Sequence, residues 1–124
     1  MFKIDEETGV MRITRGDTAR FSIRLTQEDT SKPEDSNERW VPYVMQEGDS
    51  LLFSVKKNSS LSEKAIEKTS ASTSFELIST DTISLAFGDY LYDVLLIFAN
   101  AEKNTVIVPT TFKVCSEVHS HGNS

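Results

Sequence analysis

The stretch Tyr90-Leu91-Tyr92-Asp93-Val94-Leu95-Leu96-Ile97-Phe98-Ala99 decides the fold. Tyr90, Tyr92, Val94, Leu96 and Phe98 alternate onto one face, and Leu91, Asp93, Leu95 and Ile97 onto the other. A period of two is that of a β-strand, because successive side chains leave opposite faces of a pleat. Apolar residues on both faces predict a strand buried on both sides, at the centre of a sheet.

Working outward, the same period recurs. Gly88-Asp89 reads as a turn before that strand, and Thr80-Asp81-Thr82-Ile83 as a capped helical turn in which Thr80 or Asp81 accepts from the following amides. Ser74 to Ile78 alternates, with Phe75 and Leu77 on one face. Ala65 to Thr69 is a short strand, and Leu51 to Lys56 places Leu51, Phe53 and Val55 inward. Glu47-Gly48-Asp49 is a turn. Ala19 to Leu25 sets Ala19, Phe21, Ile23 and Leu25 against Arg20, Ser22 and Arg24. Val10 to Thr14 is a further strand, closed by Arg15-Gly16-Asp17, a tight turn in which Gly16 takes positive φ. That tripeptide also spells a cell-adhesion motif, but three residues carry little information. Downstream, Asn100 to Asn104 reads as a hairpin loop, followed by Thr105 to Val108 and Thr111 to Val118, with Pro109 breaking the two apart.

Composition agrees. The chain has 124 residues, room for one core. Ala occurs six times, whereas Val, Ile and Thr total 29, a balance that suits a pleated sheet rather than a helical bundle. The net charge of −6 argues against phosphate-backbone binding. No apolar run reaches the length of a membrane span, and the acidic start Met1 to Glu7 lacks the apolar region of a signal peptide. The single Cys115 forms no internal disulfide. Half of the excess negative charge, a net −3, sits in residues 27–39, a polar segment without large apolar residues that is expected to be a mobile acidic loop. Trp40 to Val44 reads as an edge strand, because Pro42 cannot donate to a central ladder.

No arrangement for chemistry stands out. His119 and His121 lie in the terminal stretch 119–124, expected to be flexible, and two imidazoles there make a weak metal site. Cys115 reads as an ordinary strand cysteine, and the five glycines are too scattered to cradle a phosphate. Acid pairs such as Glu6-Glu7 and Glu34-Asp35 are sequence neighbours rather than residues facing across a cleft. No catalytic, cofactor or metal residue is therefore expected. Trp40 and Tyr43 are the candidate partner-binding residues, as the visible aromatic platform. Gly88, Tyr90 and Tyr92 resemble the tyrosine corner of immunoglobulin-like sandwiches, except that Tyr92 stands where antibody domains carry cysteine. Tyr90, Gly88, Gly16, Phe21, Phe53 and Tyr92 are accordingly expected to be structural.

Five blocks occur in order: "ITRGDTARFSIRL" (13–25), "EGDSLLFSVKK" (47–57), "AIEK" (65–68), "LISTDTISLAFGDYLYDVLL" (77–96) and "VIVPTTFKVCSEV" (106–118). Together they resemble the N-terminal domain of the upper baseplate protein family, from tail modules of phages and prophages of Gram-positive bacteria. The resemblance covers residues 10–118. Roughly seven to nine short antiparallel strands with polar turns over residues 1–118 are the signature of a β-sandwich, and the resemblance implies an immunoglobulin-like one. It also implies a non-enzymatic structural role in the virion tail, with assembly in the host cytoplasm. The implied partners are other tail or baseplate proteins, with a homo-oligomer compatible and neither nucleic acid nor membrane involved. The chain ends soon after the matched blocks, so the host-binding role of the segments that follow this domain in the family is not carried over as an expectation, and the acidic 27–39 loop is a second departure. A carbohydrate- or cell-surface-binding sandwich is the alternative, since such modules combine aromatic platforms with polar loop tips.

Overall fold

The computed structural model describes residues 2–5, 7–28, 31, 33, 40–58 and 63–116. The strands are β1 (Phe2–Ile4), β2 (Met11–Thr14), β3 (Ala19–Ser22), β4 (Thr26–Glu28), β5 (Trp40–Pro42), β6 (Ser50–Lys56), β7 (Ile66–Ser70), β8 (Ser74–Leu77), β9 (Gly88–Ile97) and β10 (Lys103–Cys115). One helical turn, α1 (Ser79–Thr82), links β8 to β9. The fold is all-β, as the composition and the alternation predict.

Six strands form one sheet in the order β1-β2-β10-β9-β6-β7, so the alternating stretch does lie centrally. Its inward face, Tyr90, Tyr92, Val94 and Leu96, is buried. The opposite face departs from expectation: Leu91, Leu95 and Ile97 are half-buried. The reason is that the second layer covers one side of the sheet only. On the uncovered side Leu91 and Leu95 are shielded by their strand neighbours, Lys56 and Leu52.

That second layer is the β3–β8 ribbon, which pairs Phe21 directly with Phe75. Both rings pack on Phe53 of β6, with centroids 5.3 and 5.8 Å away. Phe53 also meets Tyr92 and Phe112 at 5.6 and 6.2 Å. It is fully buried and joins the two layers. Offset and edge-on aromatic contacts of this kind add about 0.5–1.5 kcal/mol per pair to the burial itself. Ile23 and Leu25 continue the inward row of β3 beyond its ladder and are buried too.

Four local expectations need correction. The sheet is mixed, not purely antiparallel, because β2 runs parallel to β10, pairing Met11 to Thr14 with Phe112 to Cys115. Nearly the whole chain separates these two strands, so no tight turn dictates their relative direction. Pro109 does not end a strand: β10 runs through it, with register shifts between Thr105 and Ile107 and between Ile107 and Thr110. Pro109 falls in the second shift, where no ladder bond to β9 calls for its missing N–H. In α1 the Asp81 carboxylate accepts from the upstream N–H of Ile78 at 2.7 Å rather than from following amides. It also pairs with Lys68 at 2.9 Å. Lastly, Gln27 and Glu28 of the presumed acidic loop belong to β4. Most of residues 29–39, and the tail with His119 and His121, lie outside the described residues. The N-terminal strand β1, opposite β2, was not anticipated from its mixed sequence.

Candidate docking groove

Trp40 to Pro42 do form an edge strand, but in a separate two-stranded ribbon with β4, where Trp40 faces Glu28 and Pro42 faces Thr26. The chain then turns back onto the core through a backbone bond from Tyr43 N–H to the Leu25 carbonyl, 3.0 Å. This puts Trp40 and Tyr43 on one cleft of about 480 Å3, together with Arg24, Leu25, Thr26, Gln27, Leu96, Phe98, Asn104, Thr105 and Val106. Trp40 is 59% exposed at its rim. An exposed indole beside a concave surface is the kind of group that anchors partners.

Tyr43 has a different part. Its ring meets Phe98 edge-on at 6.4 Å, and its hydroxyl donates to Asp49 Oδ2 at 2.6 Å. Asp49, itself buried, also accepts from the Gln46 N–H at 2.9 Å. Hydrogen bonds from Tyr43, Gln46 and the Ala99 backbone hold its carboxyl below the usual carboxylate range, against the opposing effect of burial. The same bond to Asp49 raises the Tyr43 phenol. Gly48 makes the preceding turn possible: it sits at φ +91°, where a Cβ would also lie 2.7 Å from the Ala99 side chain. Tyr43 is therefore a fixed wall of the cleft, with its hydroxyl already engaged, while Trp40 is the part open to a partner.

A second cleft of about 590 Å3 lies alongside, lined by Ile4, Asp5, Gly9, Met11, Ser22, Ile23, Tyr92 and Ile107. Arg24 lines both clefts. Its guanidinium has no ion pair or hydrogen bond among the described residues. Tyr92 closes the floor by donating its hydroxyl to the Gly9 carbonyl, and burial raises its phenol. At the far end Asp5 Oδ1 accepts from the N–H groups of Glu7 and Thr8 at 2.9 and 3.2 Å.

The other anticipated structural residues sit elsewhere. Tyr90 donates to the Ala86 carbonyl, four residues upstream, at 2.9 Å. Gly88 opens β9 opposite Val114. Gly16 takes φ +87°, and its N–H reaches the buried Thr82 hydroxyl at 2.8 Å. Arg15 lies 4.2 Å over the Phe87 ring, so this tripeptide is clasped against the α1 connection. Phe21, Phe53 and Tyr92 are core, as expected. Cys115 is half-buried with a free thiol. Among the described residues no three His, Cys, Asp or Glu side chains gather where they could hold a metal.

Sequence reasoning missed Arg24, Gln27, Asn104 and Asp49. Arg24 is legible as an outward position of the 19–25 alternation, but Asn104, which lines the same cleft, comes from the far end of the chain. No family model, no curated protein and no solved structure matches this chain.

Proposed function

We propose that this protein is a non-enzymatic structural module of a phage or prophage tail, built as an immunoglobulin-like β-sandwich and anchored to neighbouring tail or baseplate subunits through the Trp40 cleft. The sandwich reading is supported by the packing of Phe21 and Phe75 of the β3–β8 ribbon on Phe53 of the six-stranded sheet and by the Tyr90 hydroxyl bonded to the Ala86 carbonyl, the pattern of a tyrosine corner. The tail reading draws on the five ordered sequence blocks. The observation that carries the docking role is Trp40, 59% exposed on a short ribbon at the mouth of a preformed cleft. In this reading the protein assembles in the host cytoplasm and resides in the virion tail.

Co-expression with the products of its neighbouring genes, which this reading expects to include tail proteins, tests the proposal. Wild-type chain should co-purify with one of them, and Trp40→Ala should lose most of that association while staying folded. Unchanged co-purification of Trp40→Ala would remove the cleft from the argument. A saccharide-binding role is the second reading, favoured by the Gln27 and Asn104 side chains that share the cleft with Trp40. Planar amides beside an aromatic face suit sugar hydroxyls. Saturable quenching of the single tryptophan by host cell-wall polysaccharide is its test.

A further inference from the structure

The two clefts flank one long edge of backbone. Strand β10 pairs with β9 along most of its length, but with β2 only from Phe112 to Cys115. From Lys103 to Thr111 its other edge has no strand partner among the described residues. At about 3.3 Å per residue this edge is several residues of backbone groups without a ladder partner, the Val108 carbonyl accepting from the Thr110 hydroxyl at 2.7 Å. The clefts lie against it through Asn104 to Ile107 and meet at Arg24.

We infer that this seam takes an extended segment of a partner protein, added as a strand beside β10, with an acidic side chain facing Arg24. This rests on the reading of the Trp40 cleft as a protein-docking surface. An added strand pairs its backbone with an open edge, and its alternate side chains enter pockets on one side. Here the half-buried Phe98, Val106 and Ile107 offer apolar surface to those side chains. Arg24 supplies the one cationic group common to both clefts, so charge complementarity selects an acidic residue. Trp40 closes one end. The bulged register and Pro109 interrupt the edge near its middle. Such features guard an edge against indiscriminate pairing with further copies, so the pairing runs along Lys103 to Val108, before the residue that lacks an N–H.

The probe is a synthetic peptide of alternating Thr and Val with one central Glu, added to the intact chain. Expected are a saturable change in Trp40 fluorescence and slowed amide exchange at residues 103–108. Arg24→Glu should weaken binding roughly threefold to tenfold, the scale of a partly exposed charge pair, and a peptide with central Lys should recover it. Backbone N-methylation of the peptide should abolish binding, because the ladder is lost. Absence of binding, indifference to N-methylation, or a Trp40 response to cell-wall polysaccharide alone would each overturn strand addition. If Trp40→Ala abolishes tail co-purification while N-methylation changes nothing, strand addition fails and the docking reading survives. If the peptide protects residues 103–108 but co-purification is untouched by Trp40→Ala, strand addition stands and the tail-docking reading fails.

Discussion

Phe112 to Cys115 and Lys103 to Thr111 belong to one strand and live in different surroundings. In the first group Phe112 to Val114 are paired on both sides, with β2 and with β9, Cys115 is paired with β2, and Phe112 and Val114 are buried. Among the described residues the second is paired on one side only; it shifts register twice and leaves Val108 67% exposed. A strand held on both edges and packed on its inner face serves the fold. A strand held on one edge, bulged and bordered by clefts, is open to a partner. The contrast separates what stabilises this protein from what it presents.

The sharpest way to break that contrast is Phe112→Ala. Removing a fully buried ring that packs on Phe53 and Tyr92 should cost about 3–5 kcal/mol in urea unfolding. A loss below 1 kcal/mol would mean that the doubly paired half is not the stabilising one. Next comes Tyr90, the β9 partner of Phe112. Tyr90→Phe keeps the ring and deletes only the bond to Ala86, so about 1 kcal/mol is expected from the same measurement.

The cleft side contributes through pH. Asp49 lies below its unfolded value of 3.8, so its contribution is complete above that pH and is lost as pH falls through the lower folded value. Tyr43 lies above its unfolded value of 10.0, so its contribution is complete below that pH and is lost as pH rises through the higher folded value. Tyr43→Phe should therefore flatten the alkaline limb and reduce the acid limb of a plot of urea midpoint against pH. Limbs identical to wild type would show that the Tyr43–Asp49 bond does not form in solution.

The smallest stability effects belong to the open half of β10 and to the β4–β5 ribbon beside it. Val108→Lys and Trp40→Ala should each change stability by no more than about 0.5 kcal/mol, as exposed positions do. Thermal melts check this. A loss comparable to that of Phe112→Ala would erase the distinction between the two halves of β10.

Much of the fold was legible because burial imposes a period on the sequence. The inward rows at 19–25, 51–55, 75–77 and 90–96 matched the buried residues, since a one-residue slip would turn each row to solvent. Gly16 was legible through turn chemistry, and its φ of +87° follows. Strand β1 was not, because three residues carry too little pattern. The parallel pairing of β2 and the passage of β10 through Pro109 were hidden for another reason: both depend on which strand lies alongside, and no local pattern encodes that. Trp40 is legible as a surface aromatic, whereas the sequence shows Asp49 only as part of a turn, its burial against Tyr43 and Ala99 being a tertiary fact.

By itself, then, the alternation of residues 90–99 and its echoes along the chain determined an all-β protein, its inward rows and its central strand. The hydrophobic effect acts on each segment through its own period, so each segment announces its inward face. Only the tertiary structure decided that Arg24, Trp40 and Asn104 share a groove, and that residues 103–111 of β10 have one edge without a strand partner among the described residues. Those features come from where distant strands stop alongside one another, and backbone pairing leaves no mark on side-chain order.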